Sequence, residues 1–256
     1  MSSDHELELK ERVENSLQFI DNLEISVPEL LYAQGGMALQ EGASAAVDAG
    51  SVVAFTDTLN GQQKSDVLNS TLLAQLAANK KFDREQNTLN WYKFYSSVLE
   101  QVGWVVPSFQ FARLQAAGSR FTVDRAAITL LQAIASPAEI SVVQAAINAL
   151  RGLQDRDHRV VIFESNSHTE TLGNFQIATC GVSRSDTVVM KIGAFFFSTT
   201  ERVTRVLFFS FPRAGTTLQQ SRETLTLNED VYRQVRDAVI KKLGDRATKF
   251  IDDLDI

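Results

Sequence analysis

Residues 195–197 and 207–209 constrain this chain more than any other feature. They read Phe-Phe-Phe and Leu-Phe-Phe inside segments with strand character. Successive strand residues point to opposite faces of a sheet, so one face of a half-exposed sheet carries only every second side chain. Three large apolar residues in a row put bulk on both faces. The sheet that holds them must therefore be covered on both sides, by helices, by a ligand or by a membrane. Eight of the 16 phenylalanines fall between residues 163 and 211, which concentrates this demand in one part of the chain.

The surrounding pattern supports an α+β fold. Before residue 158 the apolar spacing is mainly helical, over 4–23, 65–79, 88–102, 124–135 and 136–153. Within 4–23 the expected inner positions are Leu7, Leu9, Val13, Leu17, Ile20 and Leu23. Ser136-Pro137-Ala138-Glu139 has the form of a capping box with proline at the first helical position. Residues 51–56 form an expected short strand, closed by the Asn60-Gly61 turn signal. Residues 34–50 are small and weakly periodic and are expected as a loop with one short helical stretch. Residues 104–114 are expected to be extended, with Pro107 suiting a sheet edge. From 159 onward the expected strands are 159–165, 174–182, 186–198, 202–211 and 217–227, an antiparallel meander over about residues 159–227. Asn228 then caps a long C-terminal helix expected over 229–253, with Phe250 on its inner face. The expectation is one α+β domain over 1–256, helices packed on the meander, with a weak internal boundary near 155–158.

Charge is unevenly placed. Residues 1–31 hold eight acids and two bases, whereas the remaining residues hold 23 of each. An acidic amphipathic arm is thus joined to a neutral body. A neutral body does not suit nucleic acid, which needs clustered Lys and Arg. The start MSSDHELELKERVEN lacks the basic-then-apolar order of a secretory signal. No apolar run reaches the length of a membrane-spanning helix. The expectation is a chain made in the cytoplasm, membrane-associated or released by another route.

Enzyme signatures are sparse. G-x-S-x-G, Walker and Rossmann glycine patterns are missing, and Gly35-Gly36 has no supporting spacing, so no nucleotide is expected. His5, His158 and His168 are scattered and Cys180 is the single cysteine, so no metal is expected. Cys180 lies in ATCGV, an apolar strand. A buried structural thiol is the plainer reading; a thiol that carries a covalent group is the sharper one. Gly181 beside it would let another chain or a ligand approach the backbone. As a nucleophile Cys180 would need a base, His168 or His158, yet apolar burial raises a thiol pKa and opposes that role. The aromatic stretch offers Phe195, Phe197, Phe209 and Phe211 as walls of a hydrophobic tunnel for an acyl chain, or simply as sheet packing. Burying such a chain would contribute about 0.8 kcal/mol per CH₂. Trp91 and Trp104 are either membrane-interface aromatics or helix-packing ones. Lys80-Lys81 and Lys241-Lys242 could touch anionic headgroups, though short clusters are weak lipid signals.

An aromatic helix (NWYKFYSSVLEQVGW), a Phe-rich extended segment (FQF), a lone strand cysteine (ATCGV), an aromatic hairpin and a C-terminal helix follow one another. This layout over residues 50–256 resembles the Erwinia virulence factor family, bacterial proteins linked to persistence in insect guts. The resemblance implies an α+β fold of complex topology, a palmitate joined by thioester to the family's cysteine, matched here only by Cys180, and membrane lipids as partners. Three functions stay open: a lipid-modified, membrane-interacting virulence or toxin-like protein; a cysteine acyltransferase or thioesterase; and a non-covalent ligand-binding or structural protein.

Overall fold

The computed structural model describes residues 2–26, 34–38, 43–115 and 118–247; for residues 2–5 and for β1 apart from Met37, it describes the backbone alone. The spine is an eight-stranded sheet. Its strands are β1 (Gln34–Ala38), β2 (Ser44–Asp48), β3 (Ser51–Phe55), β4 (Trp104–Val105), β5 (Ala112–Arg113), β7 (Leu172–Val182), β8 (Val188–Ser198) and β10 (Thr217–Leu227). The order is β1-β2-β3-β7-β8-β10-β4, with β5 also on β10. All pairs are antiparallel except β3 with β7. A separate ribbon pairs β6 (Arg120–Phe121) with β9 (Phe211–Pro212).

Helices cover both faces, as the phenylalanine runs require. One face packs α1 (Ser2–Asn22), α2 (Gly61–Lys81), α3 (Thr88–Gln101) and α7 (Glu229–Leu243). The other packs α4 (Val123–Leu131), α5 (Pro137–Gly152) and α6 (His158–Ser167). Strand parity sorts the side chains. Ala178, Cys180, Met190, Ile192 and Ala194 face the α2 layer, while Phe175, Ile177, Phe195 and Phe197 face the α5 layer.

Local signals fix the helix ends. Asn60 closes a capping box with Gln63, accepting from Gln63 N at 2.9 Å while Gln63 Oε1 accepts from Asn60 N at 3.1 Å. Ser136 and Glu139 form the second expected box at the start of α5. Asn228 caps α7 through Asp230 N and Val231 N. Helix α2 is buried on all sides from Lys64 to Ala78, under α1, α3 and α7.

Several expectations need correction. Residues 159–165 are not a strand but lie in α6. Asp157 caps that helix through Arg159 N at 3.0 Å, and Val160, Phe163 and Ser167 bury one helical stripe. Residues 202–211 cross the α5 layer as coil, with Val203, Val206 and Leu207 buried and only Phe211 in a strand. Most of 34–50 is not loop but the β1–β2 hairpin, whose small residues pair closely. On α1 the buried seam is Val13, Ser16 and Ile20, continued by Leu23 just past the helix; Leu7 and Leu17 face solvent. Helix α7 ends at Leu243, where Gly244 adopts φ +59°. Phe250 and residues 27–31 of the acidic arm lie outside the described residues. Residues 153–157 connect α5 to α6, which starts at His158, and the sheet takes strands from both sides of them.

Candidate functional site

Cys180 sits in the middle of the sheet. Its strand partners are Phe55 on β3 and Met190 on β8, and it has no exposed surface. Its carbonyl accepts from Thr56 N at 3.0 Å and Thr56 Oγ1 at 3.2 Å. A side chain at Gly181 would meet Thr56 Oγ1 at 2.9 Å. The close approach expected there is made by the chain's own Thr56 and Thr58, not by a ligand. Burial pushes the Cys180 thiol well above its ordinary range, and the charge of Glu139 adds to this. At neutral pH the group is a thiol and a poor nucleophile.

The histidines are elsewhere. His168 follows α6 and bridges to Gly173 at the far end of β7. Seven residues of strand at about 3.3 Å each separate Gly173 from Cys180, roughly 23 Å. His168 Nε2 meets Glu164 Oε2 at 2.9 Å, and Nδ1 lies 2.6 Å from the Thr169 carbonyl. Burial alone would lower its pKa; Glu164 and that carbonyl outweigh burial and raise it. His158 begins α6, exposed, with Nδ1 3.8 Å from Asp157. Neither histidine meets the thiol, and the acyl-enzyme arrangement of Cys180 with His168 or His158 is not assembled.

The tunnel residues also part from the thiol. Phe195 stacks on Phe175 at 5.2 Å; Phe197 meets Phe211 at 4.9 Å, and Phe209 meets Phe211 at 4.9 Å. All belong to the α5 side of the sheet. Register is the reason. Cys180 pairs with Met190, so even-numbered β8 residues share its face and Phe195 and Phe197 do not. These four phenylalanines cannot wall a chain that starts at Cys180.

Trp91 and Trp104 are not at an interface with membrane in this structure. Both are buried, with Trp91 Nε1 donating to Asn79 Oδ1 at 2.7 Å and Trp104 Nε1 to Ser70 Oγ at 2.9 Å. They belong to an aromatic group on the thiol's face. Trp91 stacks on Tyr95 at 5.2 Å. Tyr92 contacts Phe109 at 5.0 Å and Phe111 at 4.9 Å, and Phe111 contacts Phe196 at 5.0 Å.

A buried polar network shares that face, and the residue pattern gave no sign of it. Asp48 Oδ2 accepts from Thr71 Oγ1 at 2.6 Å and from Gln75 Nε2 at 3.2 Å, and Gln75 Oε1 accepts from Gly50 N. Tyr92 OH donates to Asn174 Oδ1 at 2.8 Å, while Asn174 Nδ2 donates to the Arg84 carbonyl at 3.0 Å. The Arg84 guanidinium reaches the Asn174 carbonyl and lies 5.4 Å from the Trp91 ring. Tyr95 OH is buried without a hydrogen-bond partner; burial raises its pKa, and the charge of Asp48 adds to this ahead of Tyr92 and Cys180.

Open space lies at a different place. A groove of about 800 Å³ runs under α1. Phe19, Leu23, Ala77 and Phe94 give it apolar walls, and Lys80 and Lys81 stand at the end of α2. Lys81 Nζ sits 4.0 Å from the Phe94 ring centre. Asn15, Gln18, Asn22, Gln101 and Glu24 complete the lining. Nothing in the periodicity of α1 announced this groove; the lysine pair was its visible trace. Among the described residues no helix is long and apolar enough to cross a membrane.

The fold and site define a mixed α+β protein with a sheet enclosed by helices, a buried thiol and a groove beneath its first helix. No family model matches the sequence, and no curated protein matches it. Several solved chains are loosely similar, among them two described by title. One, named delta-endotoxin, is 12% identical, with 79% of this chain and 90% of that chain covered at a TM-score of 0.41. The other, titled as the structure of the Evf virulence factor, is 14% identical, with 90% and 89% covered at a TM-score of 0.38. At these scores neither likeness fixes the position of any side chain.

Proposed function

We propose that this chain is a non-enzymatic protein of the toxin or virulence kind that takes up an anionic amphiphile and works at membrane surfaces. The groove under α1 carries the reading. Its volume of about 800 Å³ suits a ligand, since small-molecule sites span roughly 300–1,000 Å³. Its walls are apolar at Phe19, Leu23 and Phe94, and amides line it beside them. Among the described residues, Lys80 and Lys81 have no carboxylate partner. An apolar tail along the phenylalanines with an anionic head at the lysines satisfies both features. Ten buried methylenes would contribute about 8 kcal/mol, offset by an association cost of at least ~4 kcal/mol. The toxin or virulence setting rests on the sequence layout alone.

Titration with a fluorescent long-chain carboxylate tests the reading. Saturable binding below the micellar concentration is expected, weakened at least tenfold by Phe94→Glu. No saturable binding, or binding unmoved by that substitution, would overturn it.

A second reading is the palmitoyl thioester at Cys180. One observation favours it: the Tyr95 hydroxyl is buried without a hydrogen-bond partner in the same core layer as Cys180, and a thioester carbonyl that reached it would give it an acceptor. An acyl chain there would have to displace part of the aromatic group around Tyr92 and Tyr95. Intact mass before and after neutral hydroxylamine decides it. A mass raised by one fatty acyl group, lost on treatment and mapped to Cys180, supports the thioester; the unmodified mass removes it.

A further inference from the structure

We propose a second binding site, independent of the groove, for a phosphate monoester. It is a pocket of about 190 Å³ between β5, the β6–β9 ribbon and the start of β10. Arg113 from β5 and Arg213 after β9 line it, with Gln115 and Thr216; Phe121 and Leu218 form its apolar wall.

The charge arrangement is what points to a ligand. Several other arginines of the described chain are paired with carboxylates: Arg120 with Glu201, Arg151 with Asp124, Arg159 with Asp157 and Arg236 with Asp66. No acid lines this pocket, and among the described residues neither Arg113 nor Arg213 has an ion-pair partner. Both arginines are exposed and open to solvent, and an anion seated between them would gain from both charges. Each presents a planar fork of donors suited to phosphate oxygens.

Size and charge select the class. At ~30 Å³ per water, the pocket has the room of about six waters. That is small for a drug-sized ligand and adequate for a phosphate with a short substituent. A phosphate monoester carries about −1.5 to −2 charges at pH 7 and three acceptor oxygens. It can neutralise both arginines and still accept from Thr216 or Gln115. A carboxylate has one charge and leaves one arginine unmatched.

The pocket is also held in shape without a ligand. Leu114 N donates to the Leu218 carbonyl and Arg213 N to the Ser119 carbonyl, each at 2.8 Å. The Thr199 and Thr216 hydroxyls meet at 2.8 Å. Gly215 turns the chain at φ +80°, where a side chain would also meet Thr200 Oγ1 at 2.8 Å.

Calorimetric titration of the full chain with glycerol 3-phosphate, and sedimentation with vesicles containing phosphatidic acid, test the site. The expected result is saturable binding of at least one of the two, weakened tenfold or more by Arg113→Gln and by Arg213→Gln and unchanged by Arg125→Gln on α4. Unfolding midpoints of all three variants check that the fold is kept. Vesicle binding that glycerol 3-phosphate competes away identifies a lipid headgroup as the source; binding of the soluble ester without vesicle binding identifies a free phosphate ester. No saturable binding of either probe, or binding indifferent to both substitutions, overturns the proposal.

Discussion

The two faces of the central sheet are built on different principles. The face under α4, α5 and α6 is mainly hydrocarbon, with a partly buried Lys191–Glu139 ion pair between β8 and α5. Phe175, Phe195, Phe197 and Phe211 contact one another ring to ring, and coil residues Val203, Val206 and Leu207 fill the remaining space. The face under α2, α3 and α7 mixes a thiol, three tyrosines, an arginine and a hydrogen-bonded network around Asp48 and Asn174. Apolar packing tolerates rearrangement, because any well-filled arrangement recovers most of the transfer energy. A buried polar network tolerates few, because each donor or acceptor must keep its partner. Both faces bury extensive apolar surface, and the second adds a polar network that ties α2 and α3 to the sheet. The groove of the proposed function opens on the second side, between α1 and those two helices.

Substitutions can break this comparison, and the largest effect belongs to the apolar face. Phe195→Ala removes a fully buried ring stacked on Phe175 and is expected to cost about 3–5 kcal/mol in urea unfolding. On the polar face, Asn174→Leu strands the Tyr92 hydroxyl and takes one of two side-chain donors from the Arg84 carbonyl, which keeps Thr88 Oγ1. A loss of about 1–3 kcal/mol is expected, and amide exchange should speed up in α3 ahead of α5. Equal loss in both layers would show that the network does not position α3.

Cys180→Ser sharpens the comparison at one atom. It puts a hydroxyl where the thiol sits between Phe55 and Met190, and a cost of about 1–2 kcal/mol is expected in the same assay. Cys180→Ala should cost less than the serine variant, since it adds no polar group. The reverse order would mean that the thiol site holds an unseen hydrogen-bond partner.

The smallest effect is pH-dependent. The His168 pKa is raised in the fold: burial pulls it down, but Glu164 and the Thr169 carbonyl outweigh burial. The group therefore stabilises the fold fully below its ordinary value of 6.5 and loses this as pH rises through the higher folded value. The difference in unfolding free energy between wild type and His168→Gln should be below ~1 kcal/mol. It should be greatest under acid conditions and vanish on the alkaline side. A difference that grows with pH would contradict the Glu164 pairing.

Much of the architecture was legible in the residues. The demand for two covered faces was read from Phe195-Phe196-Phe197 and Leu207-Phe208-Phe209; the first run lies in β8, whereas the second lies outside any strand. Residues 217–227 matched β10, and the caps at Ser136 and Asn228 marked α5 and α7. The segment 159–165 misled because a short apolar run fits a strand or a buried helix equally well; Asp157, a good N-cap two residues earlier, was the available signal. The β1–β2 hairpin hid behind alanine and glycine, which carry weak strand preference. The site was less legible. Parity within a strand can be read from sequence, but the match of Cys180 to Met190 depends on how the turn at 183–187 closes, and a shift of one residue would have put Phe195 on the thiol's face. The groove under α1 and the network around Asp48 join segments far apart in sequence, and no local pattern encodes them.

Hydrogen exchange of the full chain, with and without a saturating long-chain carboxylate, tests the division of the molecule most directly. The expected result is slowed exchange in α1 and in the facing parts of α2 and α3, with α4, α5 and α6 unchanged. Protection centred on α4–α6, or spread evenly over both layers, would contradict it.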